Sequence, residues 1–185
     1  SVCLLNSFSF NLGGKMNSPM KAVLNTYTNE SKIDNGIVRG DRKLLSIKLS
    51  EVLADSYLLN LKTQVVHWNI SGPLFYAVHK LTEEQYQEMN EAIDDIAERI
   101  RSIGFTTPIN IAEMEHYSTI SNFIKPPGAI DMVKVLVKDN ETCAKNIRRA
   151  VEEAELIKDV ETAGLLSDRI GQHEKNAWML KMLIS

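Results

Sequence analysis

The chain has 185 residues, of which 44% are hydrophobic and 24% are charged, and its formal net charge is −3. This length suits one domain with a core large enough to fold alone, and so mild a charge gives no reason to expect a nucleic-acid specialist. Nine glycines and five prolines are few for an all-β protein, and dense use of Leu, Ile, Val, Ala, Glu and Lys favours helices.

Two cysteines, Cys3 and Cys143, do not make a disulfide framework, and the sequence has no Cys-x-x-Cys motif. We therefore expect a reducing, cytoplasmic setting. No apolar run approaches the roughly 18 residues of a membrane span. Residues 1–15 are mildly apolar but have no basic start, so we do not interpret them as a signal peptide. A non-native leader is the alternative, in which case Cys3 carries no function.

Residues 1–44 are predicted to form an N-terminal tail ahead of a helical domain over residues 45–185. The tail is polar and lacks sustained helical periodicity. Acidic residues partly offset its basic ones, which are Lys15, Lys21, Lys32, Arg39, Arg42 and Lys43. Tails of this kind are usually disordered or wrap a neighbouring subunit.

Two long helices are predicted next, over residues 45–70 and about 73–103. The first contains no Gly or Pro, and Gly72 and Pro73 end it. Pro73 suits the first turn of the second helix, and Gly104 suits its end. The second helix carries an apolar stripe at helical spacing. The stripe consists of Met89, Ile93, Ile96, Ile100 and Ile103.

Residues 105–128 are predicted to connect the second and third long helices, with a short helix at about 111–117. A third long helix is predicted over 129–156 and a fourth over 161–183, with Asp159 as a suitable N-cap. The inward face of the third is predicted to hold Ile130, Val133, Val137, Ile147 and Val151. The sequence thus predicts an all-α four-helix bundle with a short extra helix between helices 2 and 3.

Histidine and carboxylate residues recur at helical spacing along the second helix. His79 and Glu83 are spaced i, i+4 near its start, and Asp94 and Glu98 repeat that spacing near its end. Nitrogen and carboxylate ligands of this kind bind non-haem iron and zinc. At about 100° per residue, the four side chains fall within an arc of roughly 100°, away from the apolar stripe. His67 precedes His79 by twelve residues, across the break.

The distance along the helix decides how such a site could form. Fifteen residues separate His79 from Asp94, which is about 22 Å of helix, whereas metal bonds are about 2 Å long. Two antiparallel copies across a two-fold axis could place His79 and Glu83 opposite Asp94 and Glu98 of the other copy. The spacing alone leaves two alternatives open. The acidic residues could be a solvated face, and His67 could be a packed core histidine.

An iron centre inside the bundle is not predicted. Such centres in ferritin-like bundles use inward Glu residues and Glu-x-x-His motifs on paired helices. The single Glu-x-x-His here is Glu113–His116, in the connecting segment.

The stretches "HWNISGPLFYAVHKLTEE" and "DDIAERI" resemble the Dps family, the DNA-binding proteins from starved cells, a miniferritin branch of the ferritin superfamily. The family pattern is His-Trp-Asn, a Gly-containing bend, a second His twelve residues on, a carboxylate four later, and then Asp-x-x-x-Glu. Residues 168–180, "DRIGQHEKNAWML", look like the family's last helix. The resemblance covers about residues 40–184.

The resemblance implies a hollow shell of twelve subunits with ferroxidase sites at its two-fold interfaces. One subunit would provide His67, His79 and Glu83, and its mate would provide Asp94 and Glu98. The resemblance further implies that Fe(II) would be oxidised there, preferentially by hydrogen peroxide, and that ferric mineral would grow in the cavity, which would suppress hydroxyl-radical chemistry. Zinc suits the same ligands.

This chain departs from the family pattern at Glu83, and its two tryptophans allow a second interpretation. Many members have Asp where this chain has Glu83, which adds one methylene to the reach of the carboxylate. The family's tryptophan at Trp68 lies beside the site and is expected to take up a radical electron, with plain aromatic packing as the alternative. Trp178 is expected to lie near the site or to serve packing. His173 and Glu174 are assigned structural roles.

Iron entry and DNA binding are further family properties. Members admit iron through an acidic pore near the start of the last helix, for which Asp159, Glu161 and Asp168 are candidates and solvated carboxylates the alternative. Gly164 stands where several members have an acidic residue. Some members bind DNA through Lys-rich tails, but the mixed charge of this tail does not favour it. A DNA-compacting, nucleoid-associated protein with secondary iron chemistry is the alternative function.

Overall fold

The computed structural model describes residues 33–123 and 127–185. These ranges contain five helices and no strand. The helices are α1 (Arg39–Asn69), α2 (Phe75–Ser102), α3 (Ile111–Tyr117), α4 (Ala129–Leu156) and α5 (Val160–Met182). The four long helices surround one core, and the short α3 lies in the connection between α2 and α4 and contacts α1. The predicted all-α bundle is confirmed.

The core forms where the sequence predicts an apolar stripe on α2. Met89, Ile96, Ile100 and Ile103 are almost completely buried, and Ile93 packs at the margin of the core. Each of the other long helices adds an apolar face to the same core. Among the described helices, none combines the length and apolar character that crossing a membrane requires.

One inward residue was predicted wrongly. Val133, Val137 and Ile147 of α4 are buried and Val151 packs against the core, but Ile130 is 52% exposed. Ile130 lies in the first turn of α4. There it borders an open groove beside the turn between α1 and α2 rather than another helix.

The helix boundaries mostly agree with the predictions, with one clear difference at the start of α1. This helix begins at Arg39, not at Leu45. The buried guanidinium of Arg42 donates to the carbonyls of Ile103 (2.7 Å) and Ile33 (3.1 Å), which ties the first turn of α1 to the end of α2. Residues 1–32, including the possible leader and Cys3, lie outside the described residues.

Two buried charged groups fix the connection between α2 and α4. The carboxylate of Asp55 accepts hydrogen bonds from the Thr119 backbone N–H (2.6 Å) and from the side chains of Ser118 and Asn146 (both 2.8 Å). Lys62 forms an ion pair with Asp139 and donates to the Ser121 carbonyl at 2.8 Å. Because each buried charge has partners, neither is left with an uncompensated desolvation cost.

Asp159 caps α5, as the sequence predicts. Its side chain accepts from the Thr162 backbone N–H at 3.0 Å, and both its oxygens accept from Nη2 of Arg99 at 2.7 and 2.8 Å. Burial alone raises the pKa of the Asp159 carboxyl, but the hydrogen bonds from Arg99 and Thr162 together outweigh burial and lower that pKa. The charged carboxylate therefore stabilises the folded chain.

Replacement of Asp159 by Asn should lower the free energy of unfolding at neutral pH by about 2 kcal/mol, because Arg99 loses a nearly buried counter-charge. Since folding lowers the pKa of Asp159, its contribution is present above the unfolded pKa of about 3.9 and is lost as the pH falls through the folded value. The difference between wild type and Asp159→Asn should therefore shrink below about pH 4. Denaturant unfolding at a series of pH values measures it.

Asp168→Asn is the matched control, because Asp168 is exposed on the same helix. It should change the unfolding free energy by less than about 0.5 kcal/mol. Equal effects of the two substitutions would contradict a specific role for the Asp159 carboxylate.

Candidate metal centre

A tight reversal of the chain brings the two histidines together. α1 ends at Asn69 and α2 begins at Phe75. Gly72 has φ +86°, and its carbonyl accepts from the Phe75 N–H at 3.0 Å. Glycine adopts this left-handed conformation without the steric cost of a Cβ. Pro73 lies within the turn, two residues before the helix that it was predicted to start.

His67 and His79 form a stacked pair. Their ring centroids are 3.8 Å apart, and the planes differ by 16°. Nδ1 of each ring lies 2.9 Å from the backbone carbonyl oxygen of the other residue. A carbonyl only accepts hydrogen bonds, so each Nδ1 carries the proton and donates it. In the neutral form of each ring, the lone pair is then on Nε2, which is the arrangement that a metal-binding imidazole requires.

Neighbouring side chains hold the two rings in place. Phe75 stacks on His79 with centroids 5.0 Å apart, and Tyr86 meets the His67 ring edge-on at 5.2 Å. The Thr82 hydroxyl donates to the carbonyls of Val78 (2.7 Å) and His79 (3.2 Å). None of these three residues was among those predicted from the sequence. Their spacings of four, three and seven residues from His79 along α2 were the signal for the face that they share with it.

Glu83 is half-exposed next to the histidine pair, and its ion-pair partner was not predicted from the sequence. Nζ of Lys80 lies 2.8 Å from Oε2 of Glu83. The pKa of Glu83 is lowered, first by this hydrogen bond, then by the charge of Lys80, and to a smaller extent by His67 and His79. The i, i+3 spacing of Lys80 and Glu83 would have predicted the ion pair.

Asp94 and Glu98 do not join this group. Both are exposed, and neither makes an ion pair or a side-chain hydrogen bond in the part of the chain that the structure describes. Fifteen residues of α2, about 22 Å, separate Asp94 from His79. Within residues 33–123 and 127–185, no three His, Cys, Asp or Glu side chains are arranged to hold a metal ion. One copy of the chain therefore presents the two histidines and these carboxylates as separate groups.

An apolar strip on the outer face of α1 adjoins the histidine pair. Tyr57, Leu61 and Trp68 are 44%, 43% and 63% exposed, and their positions fall within an arc of about 40°. Tyr76, at the start of α2, is also well exposed. Aligned exposed apolar residues of this size commonly mark a surface for another protein.

The pore candidates differ in their surroundings. Glu161 and Asp168 are exposed on α5, where they stay candidates. Asp159 is 3% exposed, and Arg99 and Thr162 engage its carboxylate. This corrects the expectation that Asp159 is available to a passing cation.

The terminal residues singled out in the sequence have contacts of their own. His173 is fully buried, with Nδ1 2.9 Å from the Asn140 side-chain oxygen, and burial lowers its pKa to about 3. Glu174 pairs with Arg148. Trp178 lies in a groove between α4 and α5 and is 60% exposed.

Comparisons with known proteins agree with this architecture. A family model described as a ferritin-like domain matches residues 47–185. The chain is 36% identical over 158 residues to an uncharacterized low temperature-induced protein of Nostoc, over 83% of this chain and 87% of that protein. It is 33% identical over 137 residues to DNA protection during starvation protein 2 of Bacillus anthracis, over 74% and 94% of the two chains.

Comparison with a crystal structure shows the same relationship at the level of the fold. The Dps protein of Vibrio cholerae, described as a member of a broad superfamily of ferritin-like diiron-carboxylate proteins, superposes with a TM-score of 0.77. The two chains are 26% identical, and the match covers 81% of this chain and 94% of that one. The fold is therefore that of a ferritin-like protein. Within this class, the chain belongs to the Dps family.

Replacement of Gly72 by Ala should destabilise the bend, because a Cβ at φ +86° is strained although no atom lies within 4 Å of its position. The expected loss is about 1 kcal/mol of unfolding free energy. Gly171→Ala is the matched control, since Gly171 is helical and has equal space. It should be neutral or stabilising by up to about 1 kcal/mol. Unfolding at one fixed protein concentration measures both, and a Gly72→Ala variant as stable as wild type would contradict the role of the bend.

Proposed function

We propose that the chain is a ferroxidase that oxidises Fe(II) with hydrogen peroxide and stores the ferric product in a hollow shell, protecting the cell from oxidative damage. The observation that carries the proposal is the mutual hydrogen bonding of His67 and His79. It directs both Nδ1 protons to backbone carbonyls, which in the neutral rings leaves both Nε2 lone pairs available to a cation.

The proposed site is shared between two copies. His67, His79 and Glu83 of one copy bind Fe(II) through two nitrogens and a carboxylate, and Asp94 and Glu98 of a second copy complete the ligand set. The exposed apolar strip on α1 supplies a surface that a second copy can bury next to the histidine pair. The exposure of Asp94 and Glu98, which have no partners within the described residues, fits the same arrangement.

The reaction balances with peroxide as the oxidant. Two Fe(II) ions give one electron each to one hydrogen peroxide molecule, whose O–O bond breaks. With two water molecules, the products are two ferric oxyhydroxide units and four protons. Anionic carboxylates favour the step, because they attract the more highly charged ferric product more strongly than the ferrous substrate. Consuming both reactants together leaves less of either for hydroxyl-radical formation.

The rest of the proposal concerns assembly and storage. A dodecamer with a central cavity is the form in which two-fold sites and mineral storage coexist, and a reducing cytoplasm is the setting in which Fe(II) is available. Trp68, exposed and adjacent to His67 in the chain, is proposed as a donor of single electrons near the site. Zinc is expected to bind the same nitrogens in the absence of iron.

The double variant His67→Ala/His79→Ala should lose iron oxidation, since it lacks both nitrogen ligands. We expect the rate of ferric absorbance growth, with Fe(II) and peroxide under anaerobic conditions, to fall at least about tenfold, to that of buffer. His116→Ala is the control, because His116 is exposed on α3 away from the pair. Oxidation by the double variant at the wild-type rate would remove the ferroxidase proposal.

Co-assembly of two inactive variants tests whether the site is shared. Chains with His67→Ala/His79→Ala are mixed during refolding or co-expression with chains carrying Asp94→Asn/Glu98→Gln. In a mixed dimer, one of the two sites then receives intact histidines from one copy and intact carboxylates from the other. Random mixing should restore about a quarter of the wild-type rate.

A site contained in one chain would recover no activity in the same mixture. Asp95→Asn serves as the control for the carboxylate variant, because Asp95 is exposed and adjacent to Asp94 but points about 100° away around the helix. It should oxidise iron like the wild type. A particle mass equal to one chain in solution would also contradict the shared site.

A further inference from the structure

Lys80 is the only cation that the structure places on a side chain of the proposed site, as far as the described residues show. It follows His79 directly, and its Nζ lies 2.8 Å from Oε2 of Glu83. Oε1 of Glu83 makes no hydrogen bond within the described part of the chain. The ammonium therefore engages one of the two carboxylate oxygens and leaves the other to face solvent or a ligand.

The ion pair between Lys80 and Glu83 is weak, and a competing cation can displace the ammonium. The side chains of Lys80 and Glu83 are 53% and 33% exposed, so water screens their attraction. A cation that needs Oε2 has to displace the ammonium, and it also meets the repulsion of a second positive charge nearby. A cation that binds imidazole nitrogen does not depend on Oε2 and does not need to break this bond.

Divalent cations differ in whether they need Oε2 of Glu83 or can bind through imidazole nitrogen instead. Mg²⁺ and Ca²⁺ bind oxygen ligands and depend on carboxylates. Fe(II) and Zn²⁺ bind imidazole nitrogen as well. An ammonium on Oε2 thus weakens binding of the oxygen-dependent cations more than binding of the nitrogen-accepting ones.

We propose that Lys80 is a specificity-determining residue: by holding Oε2 of Glu83, it disfavours Mg²⁺ and Ca²⁺ at the histidine pair and leaves the site to Fe(II). This inference rests on the proposed function, since it concerns the cation that occupies the ferroxidase site.

The test uses the assembled full-length protein and measures binding, not oxidation. Zn²⁺ is titrated calorimetrically at increasing Mg²⁺, and the His67→Ala/His79→Ala variant defines binding elsewhere on the surface. In the wild type, Mg²⁺ should leave the apparent Zn²⁺ affinity almost unchanged. In Lys80→Met, Mg²⁺ should compete about fivefold better, while Zn²⁺ affinity without Mg²⁺ should change less than about twofold.

Two further variants separate the charge of Lys80 from other effects. Lys80→Arg keeps the positive charge and should behave like the wild type. Lys48→Met removes a lysine from another i, i+3 pair, with Glu51, of similar exposure on α1. It should not alter Mg²⁺ competition. A Lys80→Met variant with wild-type Mg²⁺ competition, or with Zn²⁺ and Mg²⁺ binding strengthened equally, would overturn the inference.

The proposed function fails in a different way. If the wild type binds no more Zn²⁺ than the double histidine variant and oxidises no iron, both the site and the inference are wrong. If the wild type binds Zn²⁺ at the histidine pair and oxidises iron, but Lys80→Met leaves cation preference unchanged, only the role of Lys80 is wrong.

Discussion

The mutual bonds between the two histidines and their backbone carbonyls are the interaction on which the proposed site depends. Each ring is oriented by the backbone of the opposite helix, so the spacing of α1 and α2 and the direction of both imidazoles are set by the same pair of bonds. The left-handed glycine in the turn makes this approach of the two helices possible. Phe75 and Tyr86 then restrict the rings from the sides that those bonds leave open.

Features that depend on local sequence were predicted well. The bounds of α3 and α4 follow from periodicity and breakers, and the Asp159 cap follows from residue type at a helix start. The early start of α1 was not predictable in this way, because Arg42 bonds to Ile103, which lies 61 residues further along the chain. The predicted burial of Ile130 was wrong for a related reason. Periodicity identifies the inward face of a helix but not where the neighbouring helices end.

In the candidate site, too, features set by local sequence were predictable and features set by distant contacts were not. Residue spacing was enough to separate His79 and Glu83 from Asp94 and Glu98, because helical rise is a fixed distance. Spacing could not reveal which ring nitrogen carries the proton, because that depends on carbonyls brought close by folding. Spacing also could not reveal that the Asp159 carboxylate, a pore candidate, is a buried helix cap. Its partner Arg99 lies 60 residues away in sequence.

The Arg42 anchor lies far from the proposed site. Arg42 fixes the chain near Ile33 to the end of α2, whereas His67 lies near the opposite end of α1. His67 lies 25 positions after Arg42 in α1, which is about 37 Å of helix. The described chain thus begins about one bundle length from the histidines of its own subunit. Loss of the Arg42 anchor would therefore act first at the end of the bundle that lies farthest from the two imidazoles.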